Sequence, residues 1–157
     1  MTKTRTALSI LSLLLVSASL SFPQSGDSAW EPITQERLLH PRAGDWLSYR
    51  RTYDAFGFSP LTEINRSTVK NLKAVWSYPV QDDSRWVPTP TVANGIMYVS
   101  EGHGRVLAFD VVSGEIKWIH TRGYPEDIRA SQAYLRQRGA AVYDDKIYLS
   151  SHNRNVP

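Results

Sequence analysis

Residues 92–106 read VANGIMYVSEGHGRV, and on the order of fifty residues later residues 142–156 read VYDDKIYLSSHNRNV. Val92 aligns with Val142, Tyr98 with Tyr148, Ser100 with Ser150 and Val106 with Val156. In each copy a polar turn, Asn94-Gly95 and then Asp144-Asp145, precedes a short apolar run. A period of this length marks a stack or ring of small sheets, each unable to bury its own two faces. The first copy continues through Leu107-Ala108-Phe109-Asp110 to Trp118, whereas the second reaches Pro157 in mid-strand. The pattern therefore predicts an all-β chain, a partial β-propeller of about one and a half blades of antiparallel sheet. It reads as the opening of a larger ring.

The first blade is legible strand by strand. Residues 89–93 and 96–100 flank Asn94-Gly95, the strongest short hairpin signal, because both turn positions accept a positive φ. Gly102-His103-Gly104 makes a second turn into a strand over 105–110, and Ser113-Gly114 a third into a strand over 115–120. Residues 139–142 and 146–150 begin the next blade after a longer polar connection over 123–137. Upstream, residues 73–80 (KAVWSYPV) alternate and are rich in β formers, which predicts a strand. Residues 68–72 predict a short helical turn capped by Asn65 or Ser67, and residues 35–39 another turn of helix. Trp76 and Trp118 occupy similar contexts and are expected to pack within blades.

The N-terminus is built differently. Lys3 and Arg5 precede an apolar and small-residue stretch over 7–20, with Val16-Ser17-Ala18 as a cleavage site. This predicts a secretory signal peptide over 1–20, with an apolar core shorter than the about 20 residues of a membrane span, and hence a periplasmic or secreted protein; the alternative is an uncleaved anchor. A polar lead-in follows over 21–44, with prolines at 23, 32 and 41, and the propeller-like domain is expected over 45–157. Taking Lys3 and Arg5 from the 18 basic residues leaves 16 against 15 acidic ones, which is no nucleic-acid footprint. Without a single cysteine, disulfides and thiolate metal sites are excluded and stability rests on packing.

Three segments carry a family resemblance. The first runs from Asp45-Trp46 through Tyr53-Asp54 and Gly57-Phe58-Ser59-Pro60-Leu61 to Ile64-Asn65, Val69-Lys70-Asn71-Leu72 and Trp76. Thr89-Pro90, Asn94-Gly95, Met97-Tyr98-Val99, Ala108-Phe109-Asp110, Ser113-Gly114 and Trp118 make up the second. The third joins Arg138-Gly139-Ala140-Ala141 to Asp145-Lys146-Ile147-Tyr148. Together they resemble the quinoprotein alcohol dehydrogenases, eight-bladed propellers that use pyrroloquinoline quinone (PQQ). The resemblance implies an N-terminal part of such an enzyme, oxidising alcohols by hydride transfer to the quinone. A calcium or lanthanide ion would activate the quinone, and electrons would pass to a cytochrome c or quinone acceptor.

By the same resemblance Arg138 holds the place of an arginine that contacts the PQQ quinone oxygens; the alternative is an ion pair with Asp144 or Asp145. Two positions depart from the family pattern. Val87 stands where many members carry a glutamate against PQQ, and Gln132 and Ala133 stand where many carry adjacent cysteines. The family's metal ligands and catalytic aspartate belong to later blades, so no catalytic or metal-binding residue is assigned and the chain alone is expected to be inactive. The other reading is a non-catalytic propeller scaffold or binding module of the same ancestry. The histidines at 40, 103, 120 and 152 show no ligand spacing, and Asp82-Asp83 and Glu126-Asp127 read as solvated loop pairs.

Overall fold

A computed structural model describes residues 30–80, 88–123 and 138–150, except the side chain of His103. One short helix, α1 (Gln35–Leu39), precedes six strands: β1 (Thr91–Ala93), β2 (Ile96–Glu101), β3 (Arg105–Asp110), β4 (Ile116–Thr121), β5 (Ala141–Tyr143) and β6 (Lys146–Tyr148). The first four form one antiparallel sheet in the order β1-β2-β3-β4, and β5-β6 form a second. This is the partial propeller the repeat predicts. The signal peptide, most of the 123–137 connection, Val87, Gln132, Ala133 and both acidic loop pairs lie outside the described residues.

The turns form where their residues allow them. Asn94 (φ 52°) and Gly95 (φ 74°) close the first hairpin with Ala93 opposite Ile96. Asp144 (φ 53°) begins the equivalent turn in the second sheet, where Tyr143 faces Lys146. Asn and Asp tolerate this left-handed backbone because a short polar side chain can bond locally. Between β3 and β4, Asp110 Oδ1 accepts the backbone N–H groups of Val112 and Ser113 at 3.0 and 2.9 Å. Those bonds, with one from the Ser113 hydroxyl, hold the Asp110 carboxyl below the usual carboxylate range. Neither Asn65 nor Ser67 caps the 3₁₀ turn Val69–Asn71, whose N-cap is Thr68 without a side-chain cap bond. Asn65 instead closes the turn before it, its Oδ1 accepting from the Ser67 and Thr68 N–H groups and its backbone N–H donating to Thr68 Oγ1.

Both faces of the four-stranded sheet are used, as alternation in a strand requires. One face packs against the second sheet and the lead-in through Ile33, Leu47, Ala93, Tyr98, Ala108 and Val142. Burial there pushes the Tyr98 hydroxyl up to about 12. On the other face Val99, Leu107 and Phe109 meet Tyr78 and Met97. Residues 73–80 depart from the predicted strand. Their side chains do alternate, with Trp76, Tyr78 and Val80 half-buried, but their backbone joins no ladder among the described residues. Aromatic packing holds the segment instead. Trp76 stacks on Phe109 at 5.7 Å, Tyr78 meets Phe109 edge-on at 5.1 Å, and Trp76 Nε1 donates to Val111 O. A β propensity that expresses side-chain fit is met without a paired backbone.

The lead-in ties the two sheets together. Ile33 exchanges both backbone hydrogen bonds with Asp144, and Trp46 does so with Val92. Between those two bridges lies a buried polar knot. Arg37, 8% exposed, donates through Nε and Nη2 to the two oxygens of Asp45 at 2.8 and 2.9 Å, and through Nη1 to Asn94 Oδ1 at 2.8 Å. Asn94 returns a bond from Nδ2 to the Glu31 carbonyl. The hairpin turn is thereby clasped by the segment that precedes the blade.

Candidate functional site

The inner edges of the two sheets meet at a short parallel seam. Thr89 N donates to Arg138 O at 3.0 Å, Thr89 and Gly139 form a parallel bridge, and Thr91 Oγ1 donates to Ala140 O at 2.7 Å. Parallel backbones come this close because Gly139 has φ +147° and no side chain. A Cβ there would stand 3.1 Å from Thr89 O. Two strand starts of successive blades are thus held side by side at one end of the molecule. The β2–β3 turn Gly102–Gly104 falls at that same end, closed by an ion pair of Glu101 and Arg105 at 2.6 Å.

Arg138 sits at the mouth of this seam. Its side chain is exposed, and among the described residues its guanidinium has no acceptor. The alternative partners expected for it are engaged elsewhere: Asp145 bonds Lys146, which also lies 3.9 Å from Asp144. Lys146 holds the Asp145 carboxyl below its ordinary range, while Asp145 raises the Lys146 ammonium. A guanidinium fork left open toward solvent suits a planar anion such as a quinone or carboxylate.

The remaining sequence candidates do not converge. His40 lies on the surface 3.7 Å from Glu36, and His120 lines an open groove of about 490 Å³ between β4 and β6 with Trp118, Arg122 and Asp145. His152 lies outside the described residues. Among the described residues no group of three His, Cys, Asp or Glu side chains could hold a metal ion. Trp76 packs within the blade as expected, whereas Trp118 touches Tyr98 at 5.9 Å but is 41% exposed beside the open groove. No described helix is long and apolar enough to cross a membrane. Thr91 was legible only as a strand residue. A threonine in an apolar run is the one signal that pointed to its cross-sheet bond.

Sheets that meet along adjoining edges, with successive strand starts and an exposed arginine at one end, define an arc of a β-propeller. The family model for the PQQ glucose/ethanol/alcohol dehydrogenase β-propeller domain matches residues 46–156, and the chain belongs to that family. It is 34% identical over 113 residues to the dehydrogenase subunit of the quinone alcohol dehydrogenase of Gluconobacter oxydans, covering 71% of this chain and 15% of that protein. To the Komagataeibacter europaeus subunit of the same name it is 30% identical over 155 residues, covering 96% and 20%. Among solved structures, quinohemoprotein alcohol dehydrogenase ADHIIG of Pseudomonas putida HK5 superposes with a TM-score of 0.69 at 31% identity, over 76% of this chain and 18% of that one. A europium-containing methanol dehydrogenase gives 0.61 at 25% identity, over 74% and 21%. The chain spans between 15% and 24% of the curated relatives it matches.

Proposed function

We propose that this chain is the N-terminal part of a periplasmic PQQ-dependent alcohol dehydrogenase, delivered by a signal peptide over residues 1–20 and inactive by itself. The observation that carries the reading is Arg138, mounted at the start of β5 beside Thr89 with its guanidinium open. That group fits an anionic quinone; Arg138 would bind and orient it, and stabilise negative charge as it builds. PQQ with a calcium or lanthanide ion would supply the quinone that accepts hydride from an alcohol, with a cytochrome c or quinone as acceptor. Thr89 and Gly139 hold the backbone from which Arg138 projects. No described side chain is placed to take the alcohol's proton or to ligate the metal, so those roles are assigned to none.

Absorbance titration of the chain with PQQ tests the reading, with Arg138→Ala beside it. The expected result is binding that Arg138→Ala weakens about tenfold or more, the scale of one charge-assisted contact. The chain with PQQ, calcium and primary alcohols should reduce no dye, whereas the whole gene product that contains it should. Binding indifferent to Arg138→Ala refutes the assignment. A whole product that neither binds PQQ nor reduces dye leaves the scaffold reading, which Val87 in place of an acid favours.

A further inference from the structure

Two residues on the seam, Thr91 and Gly139, hold the backbone on the C-terminal side of Arg138 against the first sheet. Thr91 is 5% exposed, and its hydroxyl spends its proton on a carbonyl of the other sheet, Ala140 O at 2.7 Å. Gly139 occupies a backbone conformation that L side chains rarely adopt, and a Cβ there would press on Thr89 O at 3.1 Å. The chain from 138 to 140 is therefore pinned at both ends by the first sheet: at Arg138 O by Thr89 N, and at Ala140 O by Thr91 Oγ1. The residue between is the one that lets the two backbones touch. The Cα that carries the guanidinium is thus tied to Thr89 and β1.

A side chain reaches a ligand at lower cost when the backbone that carries it is already fixed. Each rotamer-rich side chain frozen on binding costs about 0.5–1.5 kcal/mol, which corresponds to roughly 2- to 13-fold in affinity. We propose that Thr91 and Gly139 are positioning residues for Arg138, a preformed mount for a planar, anionic ligand of the quinone class. This rests on the reading of Arg138 as a PQQ contact. If Thr91 merely filled the core, losing its hydroxyl would lower stability and leave affinity at a permissive temperature unchanged.

The test uses the full chain with Thr91→Val, which keeps the shape and removes the donor, Thr91→Ser, which keeps the donor, and Gly139→Ala. PQQ affinity is measured by absorbance well below each unfolding midpoint. Exchange of the Thr89 amide is followed by NMR without PQQ. Thr91→Val and Gly139→Ala are expected to weaken PQQ binding roughly 3- to 10-fold and to speed Thr89 exchange several-fold, with Thr91→Ser close to wild type on both. Wild-type affinity and wild-type Thr89 exchange in Thr91→Val overturn the positioning role. If Thr89 exchange responds but Arg138→Ala leaves PQQ binding unchanged, or the wild-type chain takes up no PQQ, the ligand assignment is overturned while the mount stands. The two failures are therefore distinguishable.

Discussion

Replacing Asp45 by Ala should damage this fold more than its single position suggests. Arg37 and Asp45 have side chains 7% and 6% exposed, and they meet through two parallel bonds of 2.8 and 2.9 Å. Removing the carboxylate leaves a guanidinium in the interior with only Asn94 Oδ1 at 2.8 Å and the Glu31 carbonyl at 3.5 Å. Breaking one side of a buried pair costs about 3–5 kcal/mol, because the remaining charge is desolvated without compensation. The surviving Asn94 bond sets the expectation at the lower end, about 3 kcal/mol. With a urea slope of about 1–3 kcal/mol per molar, the unfolding midpoint should fall by at least about 1 M. Equilibrium unfolding at sub-micromolar concentration, followed by tryptophan fluorescence, reads this while limiting pairing of open sheet edges. The double variant Arg37→Met with Asp45→Leu removes both charges and should recover most of the loss. A cost below about 1 kcal/mol for Asp45→Ala, or a double variant as unstable as the single one, refutes the claim that the knot is a buried, coupled pair.

Two further perturbations test the turns. The Asp110 carboxyl is held low in the folded state by the Ser113 and Val112 donors, so the unfolded chain binds a proton more readily. Its contribution is therefore present above the unfolded value near 3.9 and lost as pH falls through the depressed folded value. Asp110→Asn should flatten the decline of the unfolding midpoint between about pH 5 and pH 2, and an unchanged slope excludes that assignment. Gly114 has φ +72°, and a Cβ there would lie 2.5 Å from Trp76 Cγ. Gly114→Ala should displace the indole from Phe109, red-shift tryptophan emission and cost about 1–3 kcal/mol, the range for overpacking; an unaltered spectrum would show that Trp76 does not rest there.

The hairpins were legible because their signal is local. Asn94-Gly95 and Asp144-Asp145 fall between apolar runs, and Asn94, Gly95 and Asp144 take the positive φ that a tight hairpin turn asks for. The internal repeat supplied the pairing of β5 with β6 in the same way. Residues 73–80 show where such reasoning stops. Alternation there is real, with Trp76, Tyr78 and Val80 half-buried, but pairing depends on a neighbouring backbone that no local pattern encodes. Arg37 is a sharper case. It lies in a stretch that reads as polar lead-in, where an arginine is ordinarily solvated, and it is buried because Asp45 and Asn94 close around it. Arg138 was found by resemblance to a family signature rather than by any property of its neighbours in the chain.

Sequence alone determined which residues alternate, where the chain turns and that its sheets repeat, since each follows from steric and hydrophobic preferences over a few residues. Tertiary structure decided the contacts between distant segments: Ile33 on Asp144, Asn94 inside the Arg37 knot, and Thr91 bonded to Ala140. Those bonds form between groups far apart in the chain, and their partners become definite only once both sheets have packed.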